Sequence, residues 1–151
     1  MPTALVRPAP PGTISTTSYR LSTANADTAP AVLRDLVGAL LRTTGHETLA
    51  ESARLCTSEV VTNVYRHTCA LLVHVEVTVD AQGVTVYVHD DQPRDLPMPP
   101  EMSDGEGGLG LYLVNDFAES WGTTFYGGLI PKSKAVWFRL VEGGRATHDP
   151  A

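Results

Sequence analysis

Hydrophobic residues recur at helical spacing early in the chain. Over the range 31–44 they lie one, three or four positions apart, which places them on one face of a helix. This face consists of Val32, Leu33, Leu36, Val37, Leu40 and Leu41. Asn25 or Asp27 is suited to cap the helix start, and Pro30 suits its first turn. Gly45 is suited to end it. The pattern predicts an amphipathic helix that contributes to a core.

A second, longer helix is predicted from Glu47 to about Cys69. Its apolar stripe consists of Ala53, Cys56, Val60, Val64 and Leu71. Glu59, Asn63 and Arg66 lie at i, i+4 and i+7, within about 40° of one another. A carboxylate can accept a proton, a carboxamide oxygen can ligate a hard cation, and a guanidinium can bind phosphate. The same row is also compatible with the solvated flank of an ordinary amphipathic helix.

Five further stretches have the residue pattern of strands. Polar and apolar residues alternate in 17–23 and 71–79, and the first of these strands is predicted to lie at a sheet edge. The range 80–83 suits a short hairpin connection to a strand that ends at Asp90. Two more strands are predicted at 121–126 and 134–141, as antiparallel neighbours.

A segment without periodicity separates the third and fourth strands. The range 94–107 is rich in proline and glycine, which predicts a functional loop or lid. A third helix is predicted from Leu109 to Ser120. This order of elements predicts an α+β two-layer sandwich, with one mixed, mostly antiparallel sheet and helices on one face. The predicted domain is 17–141, with disordered tails at 1–16 and 142–151.

The composition narrows the classes of partner. The chain has 151 residues and a formal net charge of −6, without a cluster of Lys and Arg. Direct binding of nucleic acid or of an anionic membrane is therefore disfavoured. No apolar run approaches the length of a transmembrane helix. Cys56 and Cys69 are too far apart on the predicted helix to pair, which fits a reducing compartment. Together these features predict a cytoplasmic protein.

The glycine-rich segment 105–110 matches the pattern G-x-G-x-x-G. A dinucleotide site would need a strand directly before it and an acidic residue about twenty positions later. A proline-rich loop precedes the segment, and Leu129-Ile130-Pro131 stands where the acid would be, so this interpretation is disfavoured. Small residues at a helix start expose N–H groups that favour an anion. A flexible loop that ends at a helix is the alternative.

Three motifs in order resemble the N, G1 and G2 boxes of the GHKL (Bergerat-fold) ATPases. They are Glu59-x-x-x-Asn63, Val86-x-Val88-x-Asp90 and Gly108-Leu-Gly110-Leu-x-Leu-Val114. Within this superfamily the chain is most similar to the short bacterial anti-sigma-factor serine/threonine kinases of partner-switching systems. The last strand, 134–140, also resembles theirs. The similarity covers residues 19–141.

The resemblance implies catalytic and metal-binding roles on the central helix. Glu59 would be the general base that takes the proton of a serine hydroxyl in a protein substrate. Asn63 would ligate Mg²⁺ that bridges the phosphates of ATP, and Arg66 would contact phosphate. Mg²⁺ keeps several waters and takes few protein oxygens, so a single amide is a plausible ligand.

The resemblance also implies the residues that hold the nucleotide. Asp90 would accept a hydrogen bond from the adenine 6-amino group, although Asp-Asp-Gln-Pro also suits a turn. The residues that approach the phosphates would be Gly108, Leu109 and Gly110. Gln92 departs from the family pattern, which has glycine there. Ala135 stands where a threonine hydroxyl helps to hold adenine, and its loss is expected to cost about 1 kcal/mol of binding.

Three functions remain open from the sequence. The resemblance implies an ATP-binding anti-sigma factor that acts as a protein-serine kinase on an anti-anti-sigma (STAS-domain) protein. It also implies a sigma factor as partner and a homodimer formed at the edge strand. The two departures are compatible with a binding module of the same fold that has weak or no kinase activity. An unrelated α+β structural domain is the third hypothesis.

Overall fold

A computed structural model of the chain describes residues 15–90, 111–126 and 133–143. Several predictions fall outside these ranges: most of both predicted tails, the predicted lid and Gln92. The same holds for the glycine-rich residues assigned to the phosphates, which are Gly108, Leu109 and Gly110.

The described strands and helices follow one another in the predicted order. The strands are β1 Thr17–Ala24, β2 Leu72–Val79, β3 Gly83–Asp90, β4 Ser120–Tyr126 and β5 Ser133–Val141. The helices are α1 Ala29–Thr43, α2 Glu47–His67 and α3 Tyr112–Phe117. The strands form one sheet in the order β1-β2-β3-β5-β4, so β1 lies at an edge as predicted.

The α+β architecture is confirmed, and the described strand pairs are all antiparallel. The register places buried residues opposite one another, such as Val75 opposite Val88 and Val86 opposite Phe138. Side chains of a strand alternate between the faces of a sheet, so these residues share one face. They form a single hydrophobic cluster with helix residues such as Leu33 and Val60. The helices therefore cover this face.

The helix boundaries differ from the predicted ones where a side chain or a following strand ends the helix. α2 ends at His67, because Thr68 adopts an extended backbone and its hydroxyl donates to the Val64 carbonyl at 2.8 Å. Leu71 therefore lies beyond the helix and is 81% exposed, whereas the rest of the predicted stripe is buried. α3 ends at Phe117 rather than Ser120, because Ser120 already belongs to β4.

α1 differs from its prediction at its start and on one side. Its N-cap residue is Thr28, which makes no side-chain capping bond. Asn25 instead donates to the Ala70 carbonyl at 2.9 Å and so joins the β1–α1 connection to the α2–β2 connection. Val32 and Leu36 are about half exposed, at 44% and 45%, so only part of the predicted apolar face is buried.

The end of the sheet at the β2–β3 hairpin is closed by polar contacts. Asp80 accepts hydrogen bonds from the backbone N–H groups of Gln82 and Gly83, which confirms the predicted turn. Asp80 also pairs with Arg139 at 3.1 Å. The buried His46 lies 2.8 Å from a carboxylate oxygen of Glu142. The residues with candidate chemistry lie at the opposite end of the sheet.

Gly83 allows β3 and β5 to approach closely, and we expect its replacement by alanine to be destabilising. A Cβ atom here would clash with the Leu140 carbonyl oxygen and lie 2.9 Å from the Val141 Cα. Gly83→Ala should lower the free energy of unfolding by about 3 kcal/mol, measured by urea denaturation.

Gly143→Ala is the matched control, because a Cβ there meets no atom within 4 Å. Its φ of +73° is strained for alanine, which should cost only about 1 kcal/mol. An unchanged denaturation midpoint for Gly83→Ala would contradict the close approach of these two strands.

Candidate active site

The candidate residues lie at one end of the sandwich because three elements meet there. α2 leads through residues 68–71 directly into β2, so its C-terminal half lies beside the start of β2. The last residue of β3, Asp90, pairs with Val73 at that same end. On its other side Asp90 pairs with Lys134 near the start of β5. The fold therefore places Asn63 and Arg66 on α2 toward the sheet end that carries Asp90.

Glu59 binds the first turn of α3. One carboxylate oxygen, Oε2, accepts a hydrogen bond from the backbone N–H of Tyr112 at 3.0 Å. The other, Oε1, accepts from Leu113 at 3.0 Å and from Val114 at 3.2 Å. The first N–H groups of a helix lack partners within it, and a negative charge there is favourable. A carboxylate of the chain itself therefore caps the first turn of α3. The glycine N–H groups that were predicted to favour an anion belong to 105–110, outside the described residues.

The environment of Glu59 has opposing effects on the pKa of its carboxyl group. Burial raises the pKa of its carboxyl, and the three backbone N–H groups oppose that effect without overcoming it. The nearby Asp116 raises the pKa further. A raised pKa improves a carboxylate as a proton acceptor near neutral pH. A carboxylate offers about four lone-pair positions, and the described residues use three of them, which leaves one position on Oε2.

Cys56 lies one turn before Glu59 and takes no part in this chemistry. Its thiol is fully buried and faces the Leu113 carbonyl oxygen at 3.7 Å. Burial, with smaller contributions from Glu59 and Asp116, raises its pKa to about 12. The thiol therefore stays protonated and acts as a small core residue that packs α2 against α3.

Asn63 and Arg66 continue the row that begins with Glu59. Asn63 is half-buried and Arg66 is exposed. Among the described residues, no group of three or more His, Cys, Asp or Glu side chains could hold a metal ion. A single amide oxygen, that of Asn63, suits Mg²⁺ better than a metal whose ligands all come from the protein, because Mg²⁺ takes most ligands from water and phosphate.

Asp90 lies at the end of β3 and is 3% exposed. It belongs to the alternate positions that face the helices, together with Val86 and Val88. A carboxylate this deeply buried needs donors. At the end of β3, this carboxylate can accept a hydrogen bond from a ligand that carries an amino group, such as adenine.

The register corrects the interpretation of β5. Lys134 lies directly opposite Asp90, whereas Ala135 lies opposite His89. Neighbouring residues of a strand point to opposite faces, so Ala135 does not share the face of Asp90. The sequence analysis expected the missing hydroxyl at Ala135 to weaken the binding of adenine at Asp90. The register contradicts this expectation, because a side chain at Ala135 would lie on the other face of the sheet. The side chain on the face of Asp90 at this level is that of Lys134.

Lys134 was not predicted as a site residue. Burial lowers the pKa of its ammonium group, and the charge of Asp90 acts against that shift. Its position opposite Asp90 follows from the register of the antiparallel pair β3 and β5. Composition and periodicity do not supply this register, so they could not identify Lys134.

Comparison with known families agrees with this arrangement. The family described as the histidine kinase-like ATPase domain matches residues 22–125. The chain belongs to this family. The match confirms the GHKL-type assignment and supports ATP binding by the domain. A search of curated proteins gave no match. In the described parts of this ATPase domain, no helix has both the length and the apolar character to cross a membrane.

We expect removal of the Glu59 carboxylate to loosen the start of α3. Glu59→Ala leaves three N–H groups without an acceptor, which should speed hydrogen exchange at residues 112–114. It should also lower the free energy of unfolding by about 1–2 kcal/mol, measured by NMR and denaturant titration. Glu59→Gln keeps one acceptor oxygen and should give intermediate exchange.

The control is Glu51→Ala on the same helix, because the exposed Glu51 pairs with the Arg54 guanidinium at 3.0 Å on the surface. It should change stability by less than about 0.5 kcal/mol and leave exchange in α3 unaltered. Equal exchange in Glu59→Ala and Glu51→Ala would show that Glu59 does not hold α3 in solution.

Proposed function

We propose that this ATPase-family domain is an ATP-binding anti-sigma factor that phosphorylates a serine of an anti-anti-sigma (STAS-domain) protein. The observation that carries the proposal is the connection of α2, which holds Glu59 and Asn63, to the start of β2, where Val73 pairs with Asp90. It is supported by membership of the histidine kinase-like ATPase domain family. The resemblance to short anti-sigma-factor kinases supplies the substrate class. A sigma factor is the second proposed partner, and the proposed location is the cytoplasm.

In this proposal Asp90 holds the adenine and Asn63 holds the magnesium ion. Arg66 is exposed on the same flank of α2 and contacts phosphate. The glycine-rich residues Gly108, Leu109 and Gly110 approach the phosphates; in sequence they directly precede Leu111. Bound ATP with Mg²⁺ supplies the phosphoryl group and neutralises its charge, and transfer then depends mainly on positioning.

Glu59 accepts the proton of the serine hydroxyl in this proposal. The lone-pair position that remains on Oε2 is the acceptor, and its raised pKa suits this task. Because Oε2 also accepts from Tyr112 at the start of α3, the substrate hydroxyl must approach beside that helix. The exposed ring of Tyr112, at 68%, then forms part of the surface that meets the protein substrate.

A second candidate is a regulatory binding module of the same fold with weak or no kinase activity. The observation that favours it is the engagement of both Glu59 oxygens by α3. In such a module Glu59 serves only to hold α3, and the domain acts by sequestering a protein partner. A homodimer is compatible with either function, because β1 has a neighbouring strand on one side only in the described sheet.

Nucleotide binding and phosphoryl transfer separate these functions. Calorimetry should show binding of ATP with Mg²⁺ to the wild type, and Asn63→Ala should weaken it about tenfold or more. Without Mg²⁺ the two proteins should bind ATP with similar affinity, because the amide acts through the metal. Equal affinities in Mg²⁺ would remove Asn63 as the ligand. Absence of ATP binding at millimolar nucleotide would exclude the kinase and favour the binding module.

The kinase function is then tested with a cognate STAS-domain protein. The wild type should phosphorylate its serine, and Glu59→Gln should abolish transfer while it still binds ATP. A STAS-domain protein whose target serine is replaced by alanine is the control for the acceptor. Normal ATP binding with no transfer by the wild type would favour the binding module, and undiminished transfer by Glu59→Gln would remove the assigned base.

A further inference from the structure

Lys134 and Asp90 form a pair of opposite charges at the end of the sheet that carries the candidate site. They are directly opposite residues of β3 and β5, so their Cβ atoms lie about 5 Å apart on the same face. Asp90 is buried and Lys134 is half-buried. The row across the sheet at this level continues to Val73 on one side and to the half-exposed Phe125 on the other. The pair therefore has an apolar neighbour on each side.

The two side chains carry complementary hydrogen-bonding groups. An ionised aspartate only accepts hydrogen bonds, and an ammonium group only donates them. The edge of adenine offers the opposite pattern, with a donor at the 6-amino group and an acceptor at the adjacent N1. When the 6-amino group of adenine donates to Asp90, the adjacent N1 can face Lys134, which is the neighbour of Asp90 on β5.

We propose that Lys134 determines base specificity by donating a hydrogen bond to N1 of the adenine whose 6-amino group donates to Asp90. This inference rests on the proposed function, in which Asp90 holds adenine. Guanine in the same orientation places a carbonyl oxygen against Asp90 and an N1–H against Lys134. Two acceptors then face each other at Asp90 and two donors at Lys134, so both residues disfavour guanine.

A purely structural role for Lys134 gives a different expectation. As a counter-charge, Lys134 would only offset the cost of burying Asp90. Its removal would then weaken the binding of every nucleotide to the same extent, through Asp90. A hydrogen bond to N1 instead makes the effect of Lys134 depend on whether the ligand has an acceptor at that atom. The two roles are separated by a ligand that lacks only N1.

The test is a double-mutant cycle with ATP and 1-deaza-ATP, in which N1 is replaced by C–H. Calorimetry in Mg²⁺ should show that the wild type binds ATP roughly tenfold more tightly than 1-deaza-ATP. Lys134→Met should bind the two ligands with equal affinity. The wild type should prefer ATP to GTP, and Lys134→Met should reduce that preference. Arg42→Met, which removes an exposed cation of α1, should change none of these ratios.

Each result decides the proposal. Equal binding of ATP and 1-deaza-ATP by the wild type would overturn it, and this measurement requires no variant to fold. An equal loss of affinity for both ligands in Lys134→Met would also overturn it, in favour of the counter-charge role. Both outcomes leave ATP binding intact, so they contradict only the role of Lys134. Absence of ATP binding by the wild type would overturn the proposed function and this inference together.

Discussion

The contact between Glu59 and the first turn of α3 joins the two parts of the candidate site. α3 has six residues, too few to be stable as an isolated helix, so it depends on its contacts with the rest of the domain. Val114 and Leu111 supply buried apolar surface, and Glu59 supplies acceptors for three unpaired N–H groups. In sequence, the glycine-rich segment directly precedes Leu111, so α3 is the first described element that follows it.

The pKa shifts of charged groups differ between the hairpin end of the sheet and the residues of the candidate site. At the hairpin end, Asp80 is balanced within the protein by Arg139 and by two turn amides, which hold the pKa of its carboxyl below the ordinary value. At the other end the pKa of Glu59 is raised instead, and the ammonium group of Lys134 has a lowered pKa. Burial therefore disfavours charge on both groups. Charged groups with perturbed pKa values are typical of functional sites, because a ligand can complete their hydrogen bonding.

Much of this fold could be predicted from the sequence, because period and turn chemistry are local properties. The alternating valines of β2 and β3 and the turn at Asp80 predicted the hairpin correctly. The parts that were wrong depend on contacts between distant segments. Leu71 fits a helical stripe by spacing, but Thr68 ends the helix before it. Lys134 and Ala135 could be assigned to faces only from the register with β3, and the capping of α3 by Glu59 spans more than fifty positions.

Under the proposed kinase function, Glu59 both caps the start of α3 and acts as the general base, and its protonation affects both roles. While ionised, its carboxylate holds the amides of α3 through charge-assisted hydrogen bonds, which are stronger than neutral ones. When it takes the proton of the serine hydroxyl, that charge disappears and Oε2 becomes a donor. Its bond from the Tyr112 N–H then weakens, because the protonated oxygen accepts less well. Proton transfer would therefore weaken the contact between Glu59 and the start of α3, so the role of this carboxylate as a base and its role as a helix cap are not independent.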